Sequence, residues 1–170
     1  MLTRDQFLGL LKNEVEITKH LFTKLPKDQL NYRPTPGQRT LGEVLENLPN
    51  NLAVIGECVQ KGDFSGYKAD AERVSAAVKK DFCAALDAEY ARFEKSLKAI
   101  SDAELQSREA VFPNGHKMPL GPGLTGSVFR FFVSYKMQLF LYLKSAGRPE
   151  LNSMNLWMGA DAPIPQPMQK

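Results

Sequence analysis

Apolar residues recur at helical spacing in four separate stretches of this chain, and this pattern constrains the fold more than any other feature. At about 100° per residue, the apolar positions of each stretch fall on one side of a helix. The pattern predicts helices over about residues 3–23, 40–59, 80–100 and 124–146, with a short helical lead-in to the third from Ala71. Short and medium connections between long amphipathic helices are typical of a bundle. The sequence therefore predicts an all-α four-helix bundle with long irregular loops.

Two capping boxes predict where the first two helices begin. The hydroxyl of Thr3 can cap a helix closed by Gln6, and Thr40 can pair with Glu43 in the same way. Between residues 101 and 123 the chain is rich in Pro and Gly, so we expect a loop that holds a short strand pair around VFPNGHKMP. Residues 1–150 form one domain in this interpretation, and residues 151–170 form an extended tail that ends in disorder.

Pro49 lies inside the second predicted helix, where a helix ordinarily disfavours it. The apolar pattern from Leu41 to Val59 continues through this proline, so we expect the helix to survive it. Proline has no backbone N–H to donate to the carbonyl of Leu45, and its ring crowds the preceding turn. The sequence therefore predicts a local kink near Asn47.

Composition and charge exclude several classes of protein. The 170 residues are 43% hydrophobic and 24% charged, which is typical of one globular domain. The 22 basic and 19 acidic residues are scattered along the chain, so we expect no nucleic-acid partner. Cys58 and Cys83 lie far apart without a CxxC or Cys/His pattern, which argues against a zinc site or a disulfide framework. Because the N-terminus lacks a secretory pattern, we expect a cytoplasmic protein.

The fourth predicted helix is apolar on nearly every side, so it must be weighed against a membrane span. Arg130 and Lys136 interrupt its apolar run, and a buried helix among three amphipathic ones is apolar all round. We therefore expect no membrane partner. The side of this helix with polar tips, which carries Phe131, Tyr135 and Gln138, is predicted to line any interior cavity.

Two carboxylates fall on core faces, Glu14 in the first helix and Glu89 in the third. A carboxylate in such a position must be paired, hydrogen-bonded or protonated. One interpretation is a polar pocket in which these groups act with Asn47, Tyr135 and Gln138 to hold a small ligand or to catalyse acid–base chemistry. The other interpretation is that they hydrogen-bond Tyr or Arg near the helix margins and set the register of the bundle.

Two motifs resemble the signatures of the DinB-like superfamily. The segment LNYRPTPGQRTLGEVLENL, residues 30–48, is similar to the first signature, R-P-x-P-G-x-x-[ST]-[LIV]-G-E-[LIV]-L-x-H-L. The segment YKMQLFLYLKSAG, residues 135–147, resembles the second, H-x-x-x-H-R-G-Q-[LIV] followed by a leucine-rich turn, a basic residue and Gly. The order and spacing of both motifs fit, so the resemblance covers nearly the whole chain.

The resemblance implies a four-helix bundle, often dimeric, that holds a divalent metal through one histidine of the second helix and two of the fourth. Members with this triad include transferases that activate low-molecular-weight thiols. In this chain the histidine positions fall on Asn47, Phe131 and Tyr135, while the glutamine of the second signature is kept as Gln138. A phenylalanine offers no donor, a tyrosine must first lose its proton, and an amide oxygen is a weak ligand.

We therefore expect a degenerate, metal-free site without a cofactor, in a protein that forms a homodimer. The leading hypothesis is a small-ligand binding or interaction protein. The alternative is a divergent thiol transferase or hydrolase that uses the inter-helix pocket. A third possibility is a pseudoenzyme that regulates a partner, which an exposed apolar patch on the first or fourth helix would favour. The candidate ligand-binding residues are Asn47, Phe131, Tyr135, Gln138, Glu14 and Glu89.

Overall fold

Helices dominate the described chain, residues 2–161 of a computed structural model, so the predicted all-α class is confirmed. Two of the four predicted long helices are interrupted by a π-helical segment, and each of these two is written below as a pair of α-helices. The four predicted helices correspond to α1, α2–α3, α5 and α7–α8 in the following order of elements. The elements in chain order are α1 (Arg4–Phe22), α2 (Leu41–Pro49), a π-helical segment (Asn50–Val54), α3 (Ile55–Lys61), α4 (Tyr67–Val78), α5 (Phe82–Lys98), α6 (Asp102–Ser107), β1 (Glu109–Val111), β2 (Lys117–Pro119), α7 (Leu120–Leu124), a second π-helical segment (Thr125–Phe129), α8 (Arg130–Ser145) and a π-helical turn (Met154–Met158).

One hydrophobic core lies between the four long stretches. Helix α1 packs against α5 and α8, and α2 packs against α5 and α8. Each stretch contributes fully buried side chains to this core, because its apolar residues follow the helical period. Examples are Leu11 of α1, Leu48 of α2, Phe93 of α5 and Leu139 of α8. Within residues 2–161, no helix has both the length and the hydropathy needed to cross a bilayer.

Side-chain caps define the starts of α1, α2, α5 and α6. The predicted capping boxes at Thr3 and Thr40 are both present, so these two predictions are confirmed. Asp81 caps α5 by accepting a hydrogen bond from the backbone of Ala84 at 3.0 Å. A third capping box, at Ser101, opens α6 in the region that the sequence analysis expects to be a loop. The prediction of a loop is wrong for residues 102–107, which form α6. The hydroxyl of Ser101 accepts a hydrogen bond from a free backbone amide in the first turn and so stabilises the start of this short helix.

The second long helix passes through Pro49, as predicted, by widening into a π-helical segment immediately after it. Side-chain amides supply donors around this segment. The Nδ2 groups of Asn47, Asn50 and Asn51 each donate to the backbone carbonyl four residues earlier, at 2.6, 2.9 and 2.6 Å. Since the proline has no N–H, these amides add donors where the regular ladder is disturbed. This local role accounts for Asn47 beside the proline.

Helix α4 departs from the prediction of a short lead-in that starts at Ala71 and joins the third helix. It is a separate helix over Tyr67–Val78, and α5 begins only at Phe82. Val74 and Val78 of α4 are buried, and the helix packs against α2 and α5. Only two buried positions anchor α4, so its amphipathic pattern in the sequence is weak.

The predicted strand pair is confirmed as the antiparallel hairpin of β1 and β2, in which Ala110 pairs with Met118. The turn contains Asn114, which accepts a hydrogen bond from the backbone of His116, and Gly115, whose φ of +78° is a conformation that favours glycine. The hairpin packs on α3 and α7. It therefore covers one end of the second and fourth long stretches.

The C-terminal segment differs from the extended tail that the sequence predicts. Leu156 is buried, and the π-helical turn packs against α1. The helical pattern of residues 3–23 places His20 opposite the core stripe and so predicts a solvated surface histidine. That prediction is wrong, because the buried Asn155 contacts Nε2 of His20 at 3.2 Å and His20 is partly covered. Burial lowers the pKa of His20. Trp157 is 64% exposed, and the predicted disorder at the C-terminus concerns residues 162–170, outside the described part.

Candidate functional site

A buried ion pair joins α1 to α8. Lys136 is 3% exposed, and its Nζ contacts Oε2 of Glu14. This carboxylate oxygen is itself buried and accepts no hydrogen bond within residues 2–161, so Lys136 is its compensating group. From the sequence alone, Lys136 is only a cation that interrupts an apolar run. The sequence does contain a signal for the pairing of Glu14 with Lys136. An inward carboxylate needs a cationic partner, and Lys136 is the only cation in residues 131–143 of the fourth predicted helix.

Glu89 belongs to a second, separate network of charges between α3, α4 and α5. Its carboxylate is buried, as predicted, and accepts hydrogen bonds from Arg73 at 2.7 Å and Arg92 at 3.5 Å. Arg92 also binds Glu57 and Asp70, each at 2.7 Å. Glu89 thus shares no hydrogen bond or ion pair with Glu14. The structure does not bring the two carboxylates into one polar cluster, and the Glu89 network ties three helices together.

The same network makes the stability of the fold depend on pH. Burial raises the pKa of Glu57 and of Asp70, but hydrogen bonds from Arg92 and its neighbours lower both overall, below ordinary values of 4.5 and 3.8. A depressed carboxyl pKa contributes stability that is present above the unfolded-state pKa and is lost as pH falls through the folded-state pKa. We expect the free energy of unfolding to decrease with acidification in that window.

Urea unfolding at a series of pH values measures this dependence. The Arg92→Met variant is expected to show a smaller loss of stability on acidification, because the carboxylates of Glu57 and Asp70 then gain less from folding. Lys98→Met, which removes an exposed pair with Glu94, serves as the control and should keep the wild-type slope. An equal slope in all three proteins would show that the network does not carry the pH dependence.

The three positions that the resemblance assigns to metal ligands have other contacts. Asn47 donates its amide to a backbone carbonyl, and the ring of Tyr135 lies 5.7 Å from the guanidinium of Arg39. Phe131 is exposed. This donor set does not fit a divalent metal, since one side chain has no donor atom and another faces a cation. Within residues 2–161, no three His, Cys, Asp or Glu side chains converge to hold a metal ion.

The polar side of α8 faces outward more than the sequence predicts. Gln138 donates to the hydroxyl of Tyr142 at 2.8 Å, and Tyr142 is the buried member of this pair. Phe131 and Ser134 are exposed, so this side of α8 does not enclose a cavity inside the bundle. Helical periodicity in a nearly all-apolar helix does not distinguish the buried side from the exposed side.

A different cavity is formed by α3, the β1–β2 hairpin and the α7–α8 stretch, and we call it the hairpin cleft. Its volume is about 470 Å³, and its walls are mostly apolar. Helix α3 contributes Ile55 and Val59, the hairpin contributes Phe112 and Met118, and α8 contributes Phe131. Among the six predicted site residues, Phe131 alone lines this cleft. A concave, mostly apolar cavity with a few polar groups is the usual form of a small-molecule site.

The polar groups of the hairpin cleft are few and carry one formal charge. Asn114 and His116 line it from the hairpin turn, and Arg130 lines it from the start of α8. No carboxylate lines the cleft, and Arg130 makes no salt bridge within the described residues. Its guanidinium lies 5.2 Å from the centre of the Phe131 ring. The cleft therefore combines an apolar wall with a cation that has no acidic partner in this part of the chain.

Two other cavities of similar size have a different character. One of about 530 Å³ lies between the loop after α1, α2 and α5, and is lined by side chains of both charges, including Glu46 and Lys79. These two groups already form an ion pair at 3.4 Å. Another, of about 470 Å³, is lined by Leu2, Phe7 and further apolar residues. Among these three cavities, the hairpin cleft alone is lined by a cation and by no carboxylate.

Comparison with known proteins adds no assignment. None of the models of known protein families matches the chain, and none of the curated proteins is similar to it in sequence. The likeness to the DinB-like superfamily thus rests on the two motifs in residues 30–48 and 135–147. The hairpin cleft could not be recognised from the sequence, because only the packing of the hairpin on α3 and α7 brings its residues, including His116, together.

Proposed function

We propose that this protein is a cytoplasmic, DinB-like four-helix bundle that has lost the metal centre and binds a small organic molecule in the hairpin cleft. The two sequence signatures and the four long helical stretches around one core support the family. The observation that carries the binding function is the hairpin cleft itself, an apolar cavity of about 470 Å³ with few polar groups.

A divergent transferase or hydrolase finds less support in the contacts of its candidate residues. A general acid or base has to reach the reacting group of a bound substrate. Glu14 is instead paired with Lys136, and Glu89 with two arginines. Neither carboxylate lines the hairpin cleft. Binding is therefore the better-supported function.

The neutral fluorophore N-phenyl-1-naphthylamine tests the proposed function. We expect saturable binding with a rise in fluorescence, and about a tenfold weaker affinity in Phe131→Ala, the loss of ~1.4 kcal/mol expected for one aromatic wall. Leu10→Ala on α1 is the matched control, since Leu10 is similarly exposed but lies outside the cleft. Absence of saturable binding, or equal affinities in the two variants, would refute the hairpin cleft as the site.

The outer face of α8 favours a second candidate function, self-association as an interaction protein. Phe131, Met137 and Leu141 are 41%, 39% and 51% exposed. With Ser134 and Gln138 they form one stripe along α8, at about 100° per residue, that carries no charged side chain between residues 131 and 141 and has Arg130 at its N-terminal end. Exposed apolar stripes of this kind mark protein contact surfaces.

This stripe is self-complementary about its centre. A two-fold axis near residue 136 would place Phe131 of one protomer opposite Leu141 of the partner subunit, and Ser134 opposite Gln138 of the partner subunit. Apolar groups would then meet at both ends of the interface, and a hydroxyl would meet an amide between them. We therefore propose a homodimer through paired α8 helices.

Light scattering coupled to size-exclusion chromatography tests the dimer. Wild type is expected to be dimeric and Leu141→Glu monomeric, because each dimer would bury two carboxylates near the ends of the interface. Leu10→Glu places the same charge on α1, where the exposure of the leucine is similar, and should leave the dimer intact. A monomeric wild type, or a dimer in the Leu141→Glu variant, would contradict the α8 interface.

A further inference from the structure

The hairpin cleft selects for the charge of its ligand as well as for an apolar body. We infer that the ligand is a small organic acid, with a carboxylate or sulfonate held by Arg130 and an apolar body held between Phe112 and Phe131. This inference rests on the proposed binding function and names the ligand class. It depends on the balance of charge around the cleft, on the position of the cation and on the shape of the walls.

The balance of charge favours an anion. Of the residues that line the hairpin cleft, Arg130 carries the only permanent charge, and none is acidic. The arginine has no salt-bridge partner in residues 2–161, so its charge is not neutralised within the described chain. A cationic ligand would meet this charge without a compensating carboxylate, whereas an anion would be paired.

The position of Arg130 suits an anionic group at the mouth of the cleft. The residue is exposed, so the acid group of a ligand can stay partly hydrated while its apolar body is buried. The guanidinium lies 5.2 Å from the centre of the Phe131 ring, so the cation is next to the aromatic wall of the cleft. Its planar fork can form two parallel hydrogen bonds to a carboxylate, or bind sulfonate oxygens in the same manner.

The walls define the body of the ligand. Phe112 and Phe131 supply two aromatic rings, and Ile55, Val59 and Met118 supply aliphatic or thioether surface. A cavity of about 470 Å³ lies within the usual range for small-molecule sites. Aromatic walls favour a flat ring system, because offset stacking and edge contacts add to the area that is buried. The preferred ligand is thus a compact aromatic or partly aromatic acid.

A matched pair of fluorophores separates charge from shape. The anion 8-anilinonaphthalene-1-sulfonate has the same ring system as N-phenyl-1-naphthylamine with a sulfonate added. We expect wild type to bind the anion about tenfold more tightly than the neutral probe, as a charge-assisted hydrogen bond would provide. Arg130→Gln is expected to abolish this preference, so that the ratio of its affinities for the two probes falls to about one. Arg130→Lys should retain part of the preference.

The control variant is Lys95→Gln, which changes the net charge by the same amount on an exposed part of α5. It should keep the wild-type preference for the anion. Equal affinities for the two probes, or a preference that survives in Arg130→Gln, would overturn the inference and leave the binding function standing. Failure of both probes to bind saturably would overturn the binding function and this inference together. Circular dichroism verifies that each variant is folded.

Discussion

Replacing Lys136 with alanine is expected to destabilise the protein by roughly 3–5 kcal/mol, the usual result of leaving one partner of a buried ion pair alone. Lys136 is almost fully buried, and the Glu14 oxygen that it contacts accepts no hydrogen bond within residues 2–161. Without the ammonium group, the buried oxygen of Glu14 is left without a compensating cation. An uncompensated charge in such a position costs free energy.

Urea unfolding at neutral pH measures this effect. The double variant Glu14→Leu and Lys136→Met should recover most of the lost stability, because apolar groups of similar size can replace a buried pair. Lys98→Ala, which breaks an exposed pair on α5, should lose less than about 1 kcal/mol. A loss for Lys136→Ala no greater than that of Lys98→Ala would show that the α1–α8 pair does not stabilise the core.

Replacing Gly56 with valine is expected to destabilise the protein by roughly 3 kcal/mol or more, at the upper end of the usual cost of overpacking. A Cβ atom at this position would lie 2.4 Å from Cδ2 and Cε2 of the Phe93 ring. The ring is fully buried, so it has little space to move away. Helix α3 or α5 must then shift, which disturbs the contact between the second and third long stretches.

Thermal or urea unfolding tests this prediction against a glycine with free space. No atom lies within 4 Å of a Cβ built at Gly9 on the exposed side of α1, so Gly9→Ala should stabilise the protein by about 1 kcal/mol through helix propensity. A loss of stability in Gly56→Val together with a gain in Gly9→Ala would identify the packing around residue 56, and not the loss of a glycine, as the cause of the destabilisation. In a double-mutant cycle, Phe93→Leu should relieve part of the strain of Gly56→Val. Additive effects would mean that the two residues do not contact each other.

The positions that carry the resemblance to the DinB-like superfamily make structural contacts in this chain. Asn47 supplies a donor to the helix backbone beside Pro49, and Tyr135 packs beneath Arg39. The neighbouring Lys136 pairs with Glu14 across the core. The positions at which the resemblance places metal ligands thus lie among contacts that stabilise α2 locally and that join α8 to α1 and to the loop before α2. This arrangement agrees with a binding site that lies elsewhere, at the hairpin.

Local features of the structure could be predicted because they depend on neighbours in the sequence. The capping boxes at Thr3 and Thr40 require only two residues three positions apart. The continuation of the helix through Pro49 follows from one apolar repeat. The capping box of Ser101 and Glu104 is equally local and could have been predicted from the sequence, although this region was interpreted as a loop. Helix α4 was underestimated because it buries only two valines.

The sequence by itself determined the helical class, the starts of the first two helices and the inward positions of Glu14 and Glu89. Periodicity and capping are set within one or two turns, so one chain is enough to reveal them. Only the tertiary structure decided that Glu14 meets Lys136, that Glu89 meets arginines, and that the hairpin encloses a cleft with α3 and α8. These partners lie far apart in the chain, and the rotation of each helix about its own axis, which core packing determines, decides which side chains meet.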